Sequence, residues 1–153
     1  MSLKQKSKRS LDAGKLLEEQ QLYCSSIHCY YYSCFQLMHY QLLEFLGEHI
    51  ILQEYSKIKE EEGKDSGSHV IYLKIFQKFY KRQINKEEIH FSSHQTKSKK
   101  KSLRAFSDNI IRLKRDRVIA DYKEELLSEE KAKEAHEKVK NCHQFIPSLK
   151  LLI

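Results

Sequence analysis

The chain has 153 residues, 40% hydrophobic and 32% charged, with four glycines, one proline and a formal net charge of +7. A domain of that length buries about two-thirds of its unfolded surface, so it holds a core without a disulfide framework or a structural metal. No run reaches the ~18 consecutive apolar residues of a membrane span, and the charged N-terminal stretch has no apolar segment for secretion.

The expected location is therefore cytoplasmic, and the cysteines read as free thiols. The basic balance favours an anionic partner such as nucleic acid or a phosphate-rich ligand, but a merely solvated basic surface fits it equally.

Taken in order, residues 3–20 carry Leu3, Ser7, Leu11, Ala13 and Leu17 among charged residues, a first amphipathic helix with a thin apolar stripe. Lys4, Lys6, Lys8 and Arg9 stand near its start, where the helix dipole disfavours cations. After a link at 20–24, residues 25–49 form the stretch around which the rest is organised. Ile27, Tyr31, Cys34, Phe35, Met38, Leu42, Phe45 and Leu46 recur at helical spacing, while Tyr30, Tyr32, Leu37 and Tyr40 add a second apolar side. A rod of roughly 37 Å at 1.5 Å per residue, covered from more than one direction, is the expected centre of a bundle.

Residues 59–68 (KEEEGKDSGS) read as a loop, with Ser68 as N-cap of a third helix whose Tyr72, Leu73, Phe76, Phe79 and Tyr80 share a face. Residues 92–102 (SSHQTKSKKKS) show no period and are expected to form a basic loop. Lys97, Lys99, Lys100 and Lys101 there either touch phosphates or are simply solvated. A fourth helix over 103–122 follows, with Leu103, Phe106, Ile110, Leu113 and Ala120 as its seam. Ser128 caps a fifth, Glu129 and Glu130 suit its first turn, and Ala132, Ala135, Val139, Cys142 and Ile146 form its stripe. Pro147 ends it, leaving 147–153 as a tail. The expected fold is a single all-α domain over 1–153, an up-and-down bundle of about five helices.

Arg117 interrupts the fourth helix's apolar seam. A permanent cation directed inward needs an anion, which Asp121 one turn on can supply; a second acceptor remains open, because Arg before Asp is the weaker order for such a pair. Arg112, Lys114 and Arg115 make this helix the most basic ordered segment. Two weaker features stand on the central helix. Cys24 and His28 share a face, as zinc ligands can, but two ligands make no site. Tyr30, Tyr31 and Tyr32 suit either base stacking or division between core and subunit interface.

Three motifs in this order, YYYSCFQLM on the second helix, Ser68-His69 opening the third, and Arg117-Val118-Ile119-Ala120-Asp121-Tyr122 on the fourth, give the chain a resemblance. It looks like the HEPN-domain proteins, and especially the small bacterial group whose late helix reads R-x-x-A-D-Y. The resemblance implies a helical bundle that dimerises through its long helices and works beside a small nucleotidyltransferase in a toxin–antitoxin or defence-type pair. It also implies an Arg and a following His lining a cleft between protomers, the signature of ribonuclease members. The Arg carries over to Arg117. The His does not, for Tyr122 stands at that spacing, and a phenol titrating near about 10 is a poor general base at neutral pH.

On this resemblance Arg117 is the phosphate clamp, Asp121 its orienting partner, Tyr122 a hydrogen-bond donor, and Lys114, Arg115 and Arg112 additional positive field for RNA or a nucleotide phosphate. No cofactor or metal is expected. Two alternatives stay open: an inactive helical interaction module, and a metal-independent ribonuclease in which His69 replaces the missing His. His69 could equally just cap or pack.

Overall fold

The computed structural model describes residues 1–63, 67–87, 93–123 and 126–148. These form five helices: α1 (Leu3–Glu19), α2 (Tyr23–Glu62), α3 (Ser68–Glu87), α4 (Ser93–Tyr122) and α5 (Glu129–Ser148). There is no strand among the described residues, and no helix there is long and apolar enough to cross a membrane. The expected all-α bundle is what the chain adopts.

Helix α2 is the axis. It packs against each of the other four, while α4 also meets α3 and α5. Ile27, Tyr30, Tyr31, Cys34, Met38 and Leu42 are all buried on it, so both of its apolar sides are covered. Phe35, Phe45 and Leu46, placed on the main face by spacing, are only partly buried. The stripe of α5 (Ala132, Ala135, Val139, Cys142, Ile146) is wholly buried, as are Leu103, Phe106, Ile110 and Leu113 of α4.

The hairpin of α1 and α2 closes on small and polar residues. Ser7 donates to the Ser33 carbonyl at 2.8 Å, and Ser33 donates back to the Ser7 carbonyl at 2.9 Å. Such a buried exchange satisfies side chains that would otherwise be costly to desolvate. Gly14 lies flat on the ring of Tyr30, and a Cβ there would stand 2.6 Å from two ring carbons.

Several boundaries differ from expectation. Residues 59–62 continue α2 instead of opening a loop, and Gly63, at φ 82°, stops it. The long helix is not one rod: Gly47 takes φ 73° and ψ 158°, a left-handed break that an L side chain resists. Beyond it, Glu54 pairs with Lys78 at 2.5 Å and Glu62 with Lys74, fastening the second half to α3. Ser68 lies inside α3, and the Gly67 carbonyl accepts from the Val70 and Ile71 amides.

Residues 93–102 are helical, so the expected basic loop is instead the first third of α4, anchored by buried Thr96. Lysine is a good helix former even where no apolar period announces the helix. Ser128 does cap α5, its Oγ accepting from the Lys131 amide at 3.3 Å. Pro147 falls within the last turn. Residues 64–66, residue 92 and residues 149–153, parts of the expected loops and tail, lie outside the described residues.

Candidate functional site

The site residues gather where the C-terminal half of α4 crosses the first turns of α2 and the start of α3. Arg117 points back from α4 on to the tyrosines of α2. Its guanidinium carbon lies 5.4 Å from the Tyr31 ring centre, 5.9 Å from that of Tyr32 and 5.7 Å from that of Tyr122. Three ring faces within about 6 Å make a cation–π cage. The side chain is 12% exposed, and Nη1 donates to Asp121 Oδ2 at 3.1 Å. Burial alone would lower the guanidinium's pKa, but the bond to Asp121, with help from Tyr32 and Tyr122, more than offsets it, and the net shift is upward. Its Nε is buried and meets no acceptor among the described residues.

Asp121 is shared. His28 Nδ1 approaches its two oxygens at 2.9 and 3.0 Å, across 93 positions of sequence, while the His28 ring tilts against Tyr32 at 4.7 Å. His28 and Tyr32 stand one turn apart, so the helix that supplies the cage also supplies the imidazole. His28, which shares a helix face with Cys24, is thus engaged by Asp121, and no cluster of three or more metal-binding side chains occurs among the described residues.

His69 is brought to the same place, behind the cage. Its Nδ1 is 2.5 Å from Tyr31 Oη, and its ring stacks on Phe35 at 3.8 Å. Burial, and then the positive charges of Arg117, Lys114 and His39, push its pKa down to about 4. It is neutral at pH 7 and a weak base. Lys114 is also held below its ordinary pKa, by burial first and Arg117 second. Two cationic groups thus depress their neighbours even though Asp121 pairs with one of them.

The remaining basic residues of α4 divide. Arg115 is exposed and lies 3.6 Å from Asp116, away from the cage. Arg112 borders an open groove against α5, with Glu130, Glu134 and Glu137. Neither shares the face of Arg117. Tyr122, at 74% exposed, stands at the mouth with its ring largely in water.

A second cluster of the same residue types, which nothing in the sequence announces, lies on the other side of α2. Tyr30 Oη donates to Glu18 Oε2 at 2.5 Å, His136 Nδ1 meets the same oxygen at 3.1 Å, and the two rings stack at 4.9 Å. It joins α1, α2 and α5. Sequence could show only that Tyr30 and Tyr31 must diverge by about 100° around α2.

Comparison with protein-family models, with curated proteins and with solved structures gives no match.

Proposed function

We propose that this chain is a HEPN-like domain that binds RNA or a nucleotide phosphate at the mouth of the Arg117 cage. The observation that carries the reading is the balance of charge there: Arg117 and Lys114 are two cations close enough to act on one another, and the carboxylate of Asp121 pairs with Arg117. One carboxylate does not neutralise the site, and a phosphate is the anion whose charge and geometry suit it. The exposed Tyr122 ring beside it offers a surface for base stacking. In this reading Lys114 meets the phosphate, Arg117 supplies field and holds Asp121, and Tyr122 stacks or donates.

The domain acts as a homodimer in the same proposal, with a small nucleotidyltransferase as partner in a toxin–antitoxin or defence-type pair. Exposed Ile50, Leu52 and Ile111 offer apolar area for a second copy, and sedimentation at several concentrations tests that. A second reading, an inactive interaction module, is favoured by the shallow access to Arg117, which is only 12% exposed.

Titrating a single-stranded RNA with wild type, Lys114→Ala and Arg117→Ala over a range of salt separates the two. The binding reading expects affinity to fall with salt and both variants to bind more weakly. Salt-independent or absent binding leaves the interaction module.

A further inference from the structure

The face of α4 turned away from the core carries a row of side chains that the Arg117 cage does not use. Lys97, Lys101, Arg104, Asp108, Ile111 and Arg115 follow one another at alternating intervals of four and three residues. That spacing keeps them within about 80° of one another around the helix, along roughly 27 Å of its length. All six are exposed, Ile111 to 52%. Thr96, Leu103, Phe106, Ile110 and Leu113 hold the opposite side in the core, so the row is an outer surface whose direction is fixed.

Its charge is one-sided. Residues 89–107 contain no aspartate or glutamate, and Asp108 is the single acid in the row. Arg115 comes only to 3.6 Å from Asp116, and its side chain stays 67% exposed. Arg117 lies about 160° round the helix from Arg115 + 0 positions of this row, against the tyrosines of α2, so the row stands apart from the cage and from the reading given to it.

We propose that the outer face of α4 docks this chain on an anionic lipid bilayer, lying on its surface. No helix among the described residues is long and apolar enough to cross one. The cations meet the headgroup phosphates, and a lysine ammonium, being a compact charge without a preferred direction, suits a mobile array of them. Ile111 lies between Arg104 and Arg115, placed to enter the boundary between headgroups and acyl chains while the cations on either side stay in the headgroup layer. An exposed isoleucine gains nothing against a sugar–phosphate backbone. A second copy laid along the same row would set cations against cations, and Ile50 and Leu52 on α2 remain for that contact.

The experiment spins the full chain down with vesicles of phosphatidylcholine alone and of phosphatidylcholine mixed with phosphatidylglycerol. Wild type is expected on the mixed vesicles only, and to be released at ~1 M salt, where the Debye length falls from about 10 Å to about 3 Å. Lys97→Glu with Lys101→Glu should lower partitioning at least about tenfold, with circular dichroism and urea midpoint unchanged. Ile111→Ser should lower it several-fold and leave the salt dependence as it was. Equal binding to both vesicles, binding to neither, or unaltered binding by the folded double variant overturns the proposal. Vesicles ignored while the double variant loses RNA would give the face to nucleic acid instead. Vesicles ignored while Ile111→Ser alters only the sedimentation coefficient would give it to a second copy.

Discussion

Tyr30 and Tyr31 are neighbours in sequence, both buried, and each reaches a histidine on another helix, yet their surroundings are opposite. Tyr30 ends on a carboxylate, Glu18, which His136 closes from the other side. Tyr31 ends on His69 beneath the Arg117 guanidinium. The first is a knot in which the acid has two partners; the second has positive charge to spare. Burial raises the pKa of both phenols, but the next influence is the hydrogen bond to Glu18, which raises it further, for Tyr30 and the charge of Arg117, which lowers it, for Tyr31. Adjacent positions on one helix thus face an acid-centred knot on one side and a cationic cage on the other.

Removing the carboxylate from the knot should break that contrast most heavily. Glu18→Ala leaves the Tyr30 hydroxyl and His136 Nδ1 without their acceptor, and each orphaned buried group costs about 1–3 kcal/mol. A loss of about 3 kcal/mol in urea unfolding, with RNA affinity unchanged, is the expected result. A large loss of affinity in a folded Glu18→Ala protein would mean the two sides are one site.

The next effect is on pH dependence. The native state holds His69 near about 4, below the ordinary imidazole value of 6.5, so the unfolded chain takes up the proton first. Its contribution to stability is complete above that ordinary value and is lost as pH falls toward about 4. His39 and His143 are also lowered, by burial above all, and act with the same sign. In His69→Gln the drop in urea midpoint between pH 7 and pH 4.5 should shrink, and an unaltered drop would refute the shift.

Smallest is the change expected for Lys114→Ala. It should weaken RNA binding several-fold and reduce the salt slope by about one contact, leaving the urea midpoint nearly unmoved.

Much of the bundle was legible because each helix repeats its apolar residues with helical period. Ala132 to Ile146 on α5 and Leu103 to Leu113 on α4 are core for that reason. The Arg117–Asp121 pair was legible too, being local to one helix. What lay hidden depends on tertiary approach. His28 meets Asp121 because α2 runs beside α4, and His136 meets Glu18 because α5 comes against α1, and no local pattern encodes such meetings. The start of α4 was missed for a different cause. Its lysines and serines follow no apolar rhythm, and Thr96 alone marks the inward side. Gly47 was overlooked because it interrupts an apolar run without a second turn-forming residue beside it.

That glycine also divides α2 into segments of unequal cohesion. Before it lie Tyr30, Tyr31, Met38 and Leu42, fully enclosed; after it only Ile51 and Ile58 are buried. With its amide ladder cut and few enclosed side chains, the distal arm can open while the proximal arm stays shut. Backbone amides of residues 48–62 should therefore trade hydrogen for deuterium well ahead of those of 26–42, and that opening would leave the cage closed.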